Sequence, residues 1–397
     1  MLPMPSLNRR TFTATMITTA MNLQAASPKI DIALRTGIGT RKIPAAVGMV
    51  ASRNKILYQG AFGIRDASGV PVKTDSIFAI HSMTKAITTA AALQMVEQGK
   101  VQLDEPVAKY LPKLAKLEVL RGFDNAGKPI LSAAKTQVTL KHLLTHTSGY
   151  CYDNWDGEMF RYTSGQPTSE VPPLMFEAGT RWQYGQGIDW AGRLVETLSG
   201  MSLEDYFQAR ILKPLGMIDT SYIVSAAKFD RLVTGYHRQE NGPLIANERK
   251  LPSPPKSFGG GGGLYSTAAD YVRFMQMILN QGQGILKPQT VESMRTNQIG
   301  GLTAGKMKSY KPSISSDVDI QPGHTEKWGF GFLINTTPYS GGRAAGSLAW
   351  AGLENTFYWI DPKNALCAVL LMRFLPFVDK QAVGLLDDFE KAVYQGR

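Results

Sequence analysis

The sequence of 397 residues predicts an α+β fold, with one antiparallel sheet built from both chain ends and a mainly helical lobe from the middle. Strand-like alternation occurs near the N-terminus and again, more extensively, in the last part of the chain. Between these regions the pattern is mostly helical, and an unusually apolar helix follows the first strands. A cleft between the two lobes is the natural place for a ligand.

The individual elements follow from apolar periodicity and from glycine, proline and capping residues. Helices are predicted at residues 27–41, 82–99, 139–149, 187–197, 203–212, 267–280 and 379–395, and strands at 45–52, 56–64, 328–335, 345–351, 356–360 and 366–373. Irregular segments are predicted at 122–135, 150–173 and 299–325. The five glycines at 259–263 predict a tight turn rather than a phosphate loop, because no Gly-Lys-Thr follows them.

The chain is expected to form one folded unit behind a distinct leader. Residues 27–99 and 257–397 form the predicted sheet lobe, and residues 100–256 form the helical lobe. Residues 8–12 (NRRTF) resemble a twin-arginine export signal and precede a weakly apolar stretch. Residues 1–26 are therefore predicted to be an export signal or a disordered leader. The protein is periplasmic or secreted if the signal works, and cytoplasmic otherwise.

Composition excludes several classes of partner. The formal charge is +11, but the lysines and arginines are dispersed and no nucleic-acid motif occurs. No segment after the leader is apolar enough to be a stable membrane span.

Cys151 and Cys367 have no zinc or redox spacing, so two free thiols are expected. His142 and His146 have the spacing of a metal pair, but they lack the acid of a zinc-protease motif. Structural roles are expected for both.

Ser82 and Lys85 form a Ser-x-x-Lys motif at the start of the apolar helix. Residues three apart on a helix share a face, so Lys85 would stand beside the Ser82 hydroxyl. Burial favours the neutral amine, which can take the hydroxyl proton and create a nucleophile. Free N–H groups at the helix N-terminus suit a developing oxyanion. The alternative is a capping serine and a surface lysine, because the motif alone often occurs by chance.

Five landmarks in order resemble the serine β-lactamase and penicillin-binding-protein superfamily, in its class C β-lactamase-like branch. The landmarks are Ser-Met-Thr-Lys at 82–85, Leu-Leu-Thr-His-Thr-Ser-Gly at 143–149, Tyr184 in a Gly-Thr-Arg-Trp-Gln-Tyr setting, a glycine-rich stretch ending at Thr267, and Trp-Ala-Gly at 350–352. The resemblance extends from about residue 28 to the C-terminus. It implies a β-lactamase/transpeptidase-like fold and a single catalytic unit over residues 27–397.

The resemblance also implies a mechanism. Ser82 would be the acyl-accepting nucleophile, and Lys85 and Tyr184 would form the proton relay, with Tyr184 as the base. The backbone N–H groups of Ser82 and Leu353 would form the oxyanion hole. No metal or organic cofactor is implied.

Two departures from the β-lactamase pattern bear on the substrate. The Tyr-x-Asn triplet is Tyr184-Gly185-Gln186 here, and Lys-Thr-Gly is replaced by residues 350–352. The missing lysine would bind a substrate carboxylate by charge, so its loss favours neutral esters. The substrate-binding residues are expected to be Tyr150, Gln186, Trp350, Ala351 and Gly352, and the aromatic segment 150–162 would line an apolar pocket with Trp350.

The pattern is closest to family VIII carboxylesterases and to the acyltransferases of lovastatin biosynthesis. Trp-Ala-Gly at 350–352 resembles the Trp-Gly-Gly of the former, and residues 120–127, 184–192 and 360–363 resemble the latter. The sequence therefore predicts a serine carboxylesterase that cleaves short-to-medium acyl esters of small molecules through acyl-Ser82. The alternatives are acyl transfer to an alcohol, a β-lactamase or D-amino-acid peptidase, and a catalytically silent binding protein. The oligomeric state is left open.

Overall fold

The computed structural model describes residues 27–165, 169–239 and 242–395. The proposed leader, residues 1–26, lies outside these residues, and export therefore stays a prediction. The α-helices are Ser27–Gly39 (α1), Thr84–Glu97 (α2), Leu140–Leu144 (α3), Gly157–Gly165 (α4), Gly187–Ser199 (α5), Leu203–Phe207 (α6), Ala268–Leu279 (α7), Pro288–Arg295 (α8) and Lys380–Tyr394 (α9). None of the helices in these ranges combines the length and apolar character needed to cross a bilayer.

The strands form one large sheet and three small ones. They are Ala45–Ser52 (β1), Ile56–Gly63 (β2), Phe78–Ala79 (β3), Glu118–Phe123 (β4), Pro129–Ala133 (β5), Tyr236–Arg238 (β6), Leu244–Ala246 (β7), Tyr265–Ser266 (β8), Glu326–Trp328 (β9), Leu333–Asn335 (β10), Leu348–Gly352 (β11), Thr356–Asp361 (β12), Leu366–Leu371 (β13) and Phe374–Leu375 (β14). The large sheet has the order β2-β1-β13-β12-β11-β10-β9, and all its neighbours are antiparallel.

This sheet confirms the predicted fold class, because its strands come from both ends of the chain. Pairing of β1 with β13 places Val47 opposite Leu371 and so joins the two ends in the centre of the sheet. Successive side chains of β12 point to opposite faces. Trp359 packs against Phe389 of α9 at 5.6 Å between ring centroids, whereas Tyr358 packs against Tyr271 of α7 at 4.9 Å. Helices therefore cover both faces of the sheet.

Helix α2 lies at the centre of the molecule, between the sheet side and the helical lobe. Its residues from Thr84 to Met95 are all buried. The glycine run contacts α2 through the Thr88 hydroxyl, which donates to Gly260 O over 2.6 Å. It approaches α5 backbone to backbone, since a Cβ on Gly260 would lie 2.5 Å from the carbonyl oxygen of Ile188. Larger residues would not fit there. The run is thus a closely packed turn, as expected.

Several predicted loops contain regular structure. The 122–135 segment forms most of the β4–β5 hairpin, whose turn is closed by Gly127 at a φ of +80°. The 150–173 segment contains α4, which is anchored by the buried side chain of Met159 against Cys151 and Phe176. The prediction of loops was wrong in both places, because tertiary pairing and burial outweigh the polar local composition.

Two boundaries also differ from the predictions. The strand expected at 328–335 is divided into β9 and β10 by a turn in which Gly329 N donates to Phe332 O over 2.9 Å. Helix α3 ends at Leu144, and His146, which follows it, adopts a φ of +57°. The 299–325 segment has no regular element, but it contributes the buried residues Met307, Ser315 and Val318 to the core.

Candidate active site

Ser82 lies in a 3-10 turn, His81–Met83, that leads directly into α2. The turn is fixed from both sides. Ile80 N donates to Leu264 O over 3.0 Å, and the hydroxyl of Tyr271 donates to Met83 O over 2.9 Å. The start of the buried helix is therefore held rigidly, with Ser82 at the edge of a cleft.

Lys85 is 1% exposed and contacts the Ser82 hydroxyl. Its Nζ atom lies 3.2 Å from Ser82 Oγ, 3.2 Å from Tyr152 Oη and 2.6 Å from the carbonyl oxygen of Gly261. An ammonium group has three N–H donors, and three acceptors surround this one. The structure thus brings Ser82 and Lys85 together as the motif predicts, and the glycine run supplies one of the acceptors.

Tyr152 and Asp189 belong to this cluster and were missed by the sequence analysis. The Tyr152 hydroxyl donates to Asp189 Oδ2 over 3.2 Å, and the other Asp189 oxygen accepts from Gly261 N over 2.8 Å. Burial, reinforced by the Asp189 carboxylate, raises the pKa of Tyr152 well above its ordinary value. Tyr152 is therefore a neutral hydroxyl that orients Lys85. Its position three residues after the second landmark, residues 143–149, was the available signal.

Tyr184 lies on the other side of Lys85. Its ring centroid is 4.8 Å from Lys85 Nζ, and its hydroxyl oxygen accepts a hydrogen bond from Trp350 Nε1 over 3.1 Å. The His146 ring packs against Tyr184 with centroids 4.6 Å apart. Burial and the charge of Lys85 lower the pKa of His146 well below its ordinary value, so this imidazole is neutral. Lys85 is thus the nearby cation for Tyr184.

The cleft beside Ser82 has a volume of about 630 Å³. Its lining combines the nucleophile candidate, aromatic rings and a paired lysine. The residues are His81, Ser82, Tyr152, Asp153, Asn154, Trp155, Gln186, Asp189, Gly261, Gly262, Lys311, Ile314 and Leu353. Gln186, expected to bind substrate, and Leu353, expected in the oxyanion hole, are both in this lining.

The other expected substrate-binding residues do not reach the surface of the cleft as the structure describes it. Tyr150 is 1% exposed and packs at 5.9 Å from Trp190 between ring centroids. Trp350 and Ala351 border a separate internal cavity of about 50 Å³. Gly352 faces the backbone before the nucleophile, where an added Cβ would lie 2.3 Å from Ile80 O. Tyr150 is thus a core residue and Trp350 contacts Tyr184, so direct contact of either with a substrate stays a prediction that the lining of this cleft does not support.

The histidine pair and the cysteines have separate structural surroundings. His142 Nδ1 accepts from the backbone N–H of Thr139 over 3.2 Å and so caps α3. His146 lies beyond the helix end, so the two rings do not share a helix face. Cys151 and Cys367 are both buried and free.

Comparisons with known proteins show the family to which the chain belongs. The family model described as Beta-lactamase matches residues 24–387. The ML-236A carboxylate methylbutanoyltransferase of Penicillium citrinum is 30% identical, over 92% of this chain and 93% of its own length. The lovastatin esterase of Penicillium rubens is also 30% identical, over 92% of this chain and 98% of its own.

Solved structures show the same likeness. Unliganded simvastatin synthase from Aspergillus terreus superposes with a TM-score of 0.81 at 29% identity, covering 93% of this chain and 98% of its own. EstCE1, described as a hydrolase with promiscuous acyltransferase activity, has a TM-score of 0.72 at 22% identity, covering 94% and 99%, and shares the fold.

Fold and relatives together define a serine hydrolase or acyltransferase of the β-lactamase/transpeptidase-like type. The chain belongs to the β-lactamase family, as its sequence landmarks indicate. Within that family it resembles the lovastatin-type acyltransferases and esterases, so it is an enzyme of the esterase and acyltransferase group.

Proposed function

We propose that the chain is a serine carboxylesterase that cleaves small neutral esters through an acyl-Ser82 intermediate. The observation that carries this proposal is the contact of buried Lys85 with Ser82 Oγ at the edge of a 630 Å³ cleft. Ser82 Oγ would bond to the acyl carbon, and the alcohol would leave with a proton. Water would then attack the acyl-enzyme and release the carboxylic acid.

The surroundings of the two tyrosines support Tyr184, rather than Tyr152, as the group that takes the Ser82 proton. Burial and the Asp189 carboxylate, to which its hydroxyl donates, raise the pKa of Tyr152 and keep it protonated. The Tyr184 oxygen instead accepts the Trp350 N–H over 3.1 Å. Lys85 Nζ lies 4.8 Å from the centroid of the Tyr184 ring, which places Tyr184 beside the Ser82–Lys85 pair. Lys85 and Tyr184 would then work as a relay, with Tyr152 orienting Lys85.

The composition of the cleft supports a neutral substrate. Its only described lysine, Lys311, is paired with Asp153 at 2.6 Å, so its charge is already balanced. The third motif carries Trp350, which donates to Tyr184 and does not line the cleft. A substrate carboxylate would therefore find no unpaired lysine in the described lining with which to form a charge-assisted hydrogen bond. Tyr152 and Trp155 provide aromatic surface for an acyl or alcohol group.

Acyl transfer to an alcohol is the second candidate, because it shares the acylation step with hydrolysis. It is favoured by the relatives, which include a methylbutanoyltransferase as well as an esterase. The cleft beside Ser82, with a volume of about 630 Å³, would have room for an acceptor alcohol as well as for water. Under this alternative, the acceptor hydroxyl would attack acyl-Ser82 and yield a new ester.

One experiment separates these possibilities. p-Nitrophenyl butyrate and nitrocefin are offered to the wild type and to Ser82→Ala, with and without an added primary alcohol. We expect fast ester cleavage that depends on Ser82 and little nitrocefin turnover. A product mixture dominated by the new ester would favour the transferase, and dominant nitrocefin turnover would favour a β-lactamase. Ester cleavage that persists in Ser82→Ala would overturn the proposed nucleophile.

A further inference from the structure

His81 and Glu354, which flank the expected oxyanion hole, contact each other at the wall of the cleft. His81 directly precedes Ser82, and Glu354 directly follows Leu353. The Nε2 atom of His81 lies 3.0 Å from Oε2 of Glu354. This nitrogen is buried and forms no well-aligned hydrogen bond, so the contact is a close approach of the imidazole ring to the carboxylate. It joins the two segments whose N–H groups would bind an oxyanion.

Glu354 is a fixed anchor for this contact. Its side chain is 10% exposed, and Arg373 donates from Nε to the same carboxylate over 2.9 Å. Burial alone would raise the pKa of Glu354, but the pairing with His81 and Arg373 lowers it to about 2. The carboxylate is therefore ionised throughout the neutral range, and His81 always faces a negative charge.

The turn that carries Leu353 is fixed on its other side by Asn355. This residue is fully buried with a φ of +63°. Its Nδ2 atom donates to Phe374 O over 2.7 Å and to Pro376 O over 2.8 Å, while its Oδ1 accepts from Val378 N over 2.9 Å. The turn is thus held to the segment after β13, and the Glu354 side chain is the part of it that reaches the nucleophile segment.

The nucleophile segment carries backbone strain at the same point. His81 has a φ of +43°, which is uncommon for any residue with a Cβ. Such conformations cost energy and persist only where surrounding contacts impose them. The contact with Glu354 is one such constraint, since it holds the side chain of His81 on the side of Leu353.

We propose that His81 is a positioning residue that, through Glu354, sets the spacing between the Ser82 and Leu353 N–H groups. The proposal rests on the proposed function, because it requires Ser82 to be the nucleophile. An oxyanion hole stabilises charge that develops only in the transition state. Loss of the His81–Glu354 pair therefore weakens turnover and leaves ground-state binding of the ester largely unchanged.

The test compares His81→Ala and Glu354→Gln with a matched control, Arg373→Gln. The control removes the guanidinium group paired with Glu354 but leaves the link to the nucleophile segment intact. For each variant, kcat and KM are measured with p-nitrophenyl butyrate, along with the inhibition constant of butylboronic acid and the melting temperature. The boronic acid forms a tetrahedral adduct on a reactive serine and places an oxygen in the oxyanion hole, so it reports on the hole independently of turnover.

We expect His81→Ala and Glu354→Gln to lower kcat by about 10- to 100-fold. A loss of this size results when the two N–H groups of the oxyanion hole are displaced by up to about 1 Å. KM should change by less than about threefold, and the boronic acid should weaken by the same factor as kcat/KM. The double variant should lose no more than the larger single loss, because the two residues act as one unit. Arg373→Gln should lower the melting temperature and reduce kcat by less than about threefold.

Three results would overturn the proposal. These are a kcat in His81→Ala within twofold of the wild type, an unchanged boronic acid affinity despite lowered kcat, or an equal kcat loss in Arg373→Gln. A failure of the proposed function is recognised separately, because ester cleavage would then survive in Ser82→Ala. A His81→Gln variant serves if His81→Ala does not fold, since it fills similar space without the imidazole.

Discussion

Trp350 donates a hydrogen bond from Nε1 to the hydroxyl oxygen of Tyr184 over 3.1 Å, and both side chains are buried. In the β-lactamase pattern, a lysine stands at the position of Trp350. The indole N–H thus provides a neutral donor where the related motif has a cation. The tyrosine retains a polar partner while the site loses a charge that would attract carboxylates.

This relationship predicts that Trp350→Phe lowers kcat by about 10-fold or more with little effect on KM, because the Tyr184 hydroxyl loses the hydrogen bond that orients it beside Lys85. Steady-state hydrolysis of p-nitrophenyl butyrate measures the effect. Trp328→Phe is the matched control, since Trp328 packs 4.7 Å from Trp350 but donates to Leu144 O. It should cost stability of about 1–3 kcal/mol and leave kcat nearly unchanged. Equal kcat losses in both variants would argue against a role for the Trp350 donor.

The two tyrosines beside Lys85 are expected to respond differently to loss of their hydroxyl groups. Tyr184→Phe should reduce kcat by about 10²- to 10⁴-fold, the range for a general base. Tyr152→Phe should reduce it by about 10-fold or less, because Lys85 keeps its contacts with Ser82 and Gly261. Single-turnover acylation rates compare them directly. The opposite ranking would assign the base role to Tyr152.

Gly352 is predicted to be essential for the shape of the oxyanion hole. An added Cβ would lie 2.3 Å from both Ile80 O and Thr356 Oγ1, so β11 would be pushed away from the nucleophile segment. Gly352→Ala should therefore reduce kcat by about 100-fold, comparable to removal of an oxyanion donor. Gly301→Ala is the control, because a Cβ there meets nothing within 4 Å. Normal activity in Gly352→Ala would mean that the close approach is not needed.

The buried carboxyl group of Glu326 should make the free energy of unfolding depend on pH, independently of the cleft. Burial raises the pKa of this carboxyl above 4.5, although the hydroxyl of Tyr339 donates to it over 2.6 Å. Because the folded state favours the protonated form, its stabilising contribution is complete below pH 4.5 and is lost as the pH rises through the raised pKa. Glu326→Gln should therefore gain stability relative to the wild type between pH 4.5 and pH 8. Urea unfolding at both pH values measures this, and a constant difference would contradict the assignment.

The sequence was sufficient for the sheet and for the Ser82–Lys85 pair because both follow from short-range patterns. Alternation identified the strands at both chain ends, and the spacing of three placed Lys85 beside Ser82. Tyr152, Asp189 and the His81–Glu354 contact were not accessible in this way. Each depends on contacts between segments that are distant in sequence and meet only in the folded chain. The burial of Tyr150 was not accessible either, since composition does not reveal which tyrosine of the 150–152 segment points into the core.

The most direct test of the central claim is detection of the acyl-enzyme. The wild type and Ser82→Ala are mixed with p-nitrophenyl butyrate, quenched in acid within the first turnover and analysed by mass spectrometry with peptide mapping. We predict a mass increase of one butyryl group on Ser82 in the wild type and no adduct in Ser82→Ala. An adduct on another residue, or rapid ester cleavage in Ser82→Ala, would contradict the account.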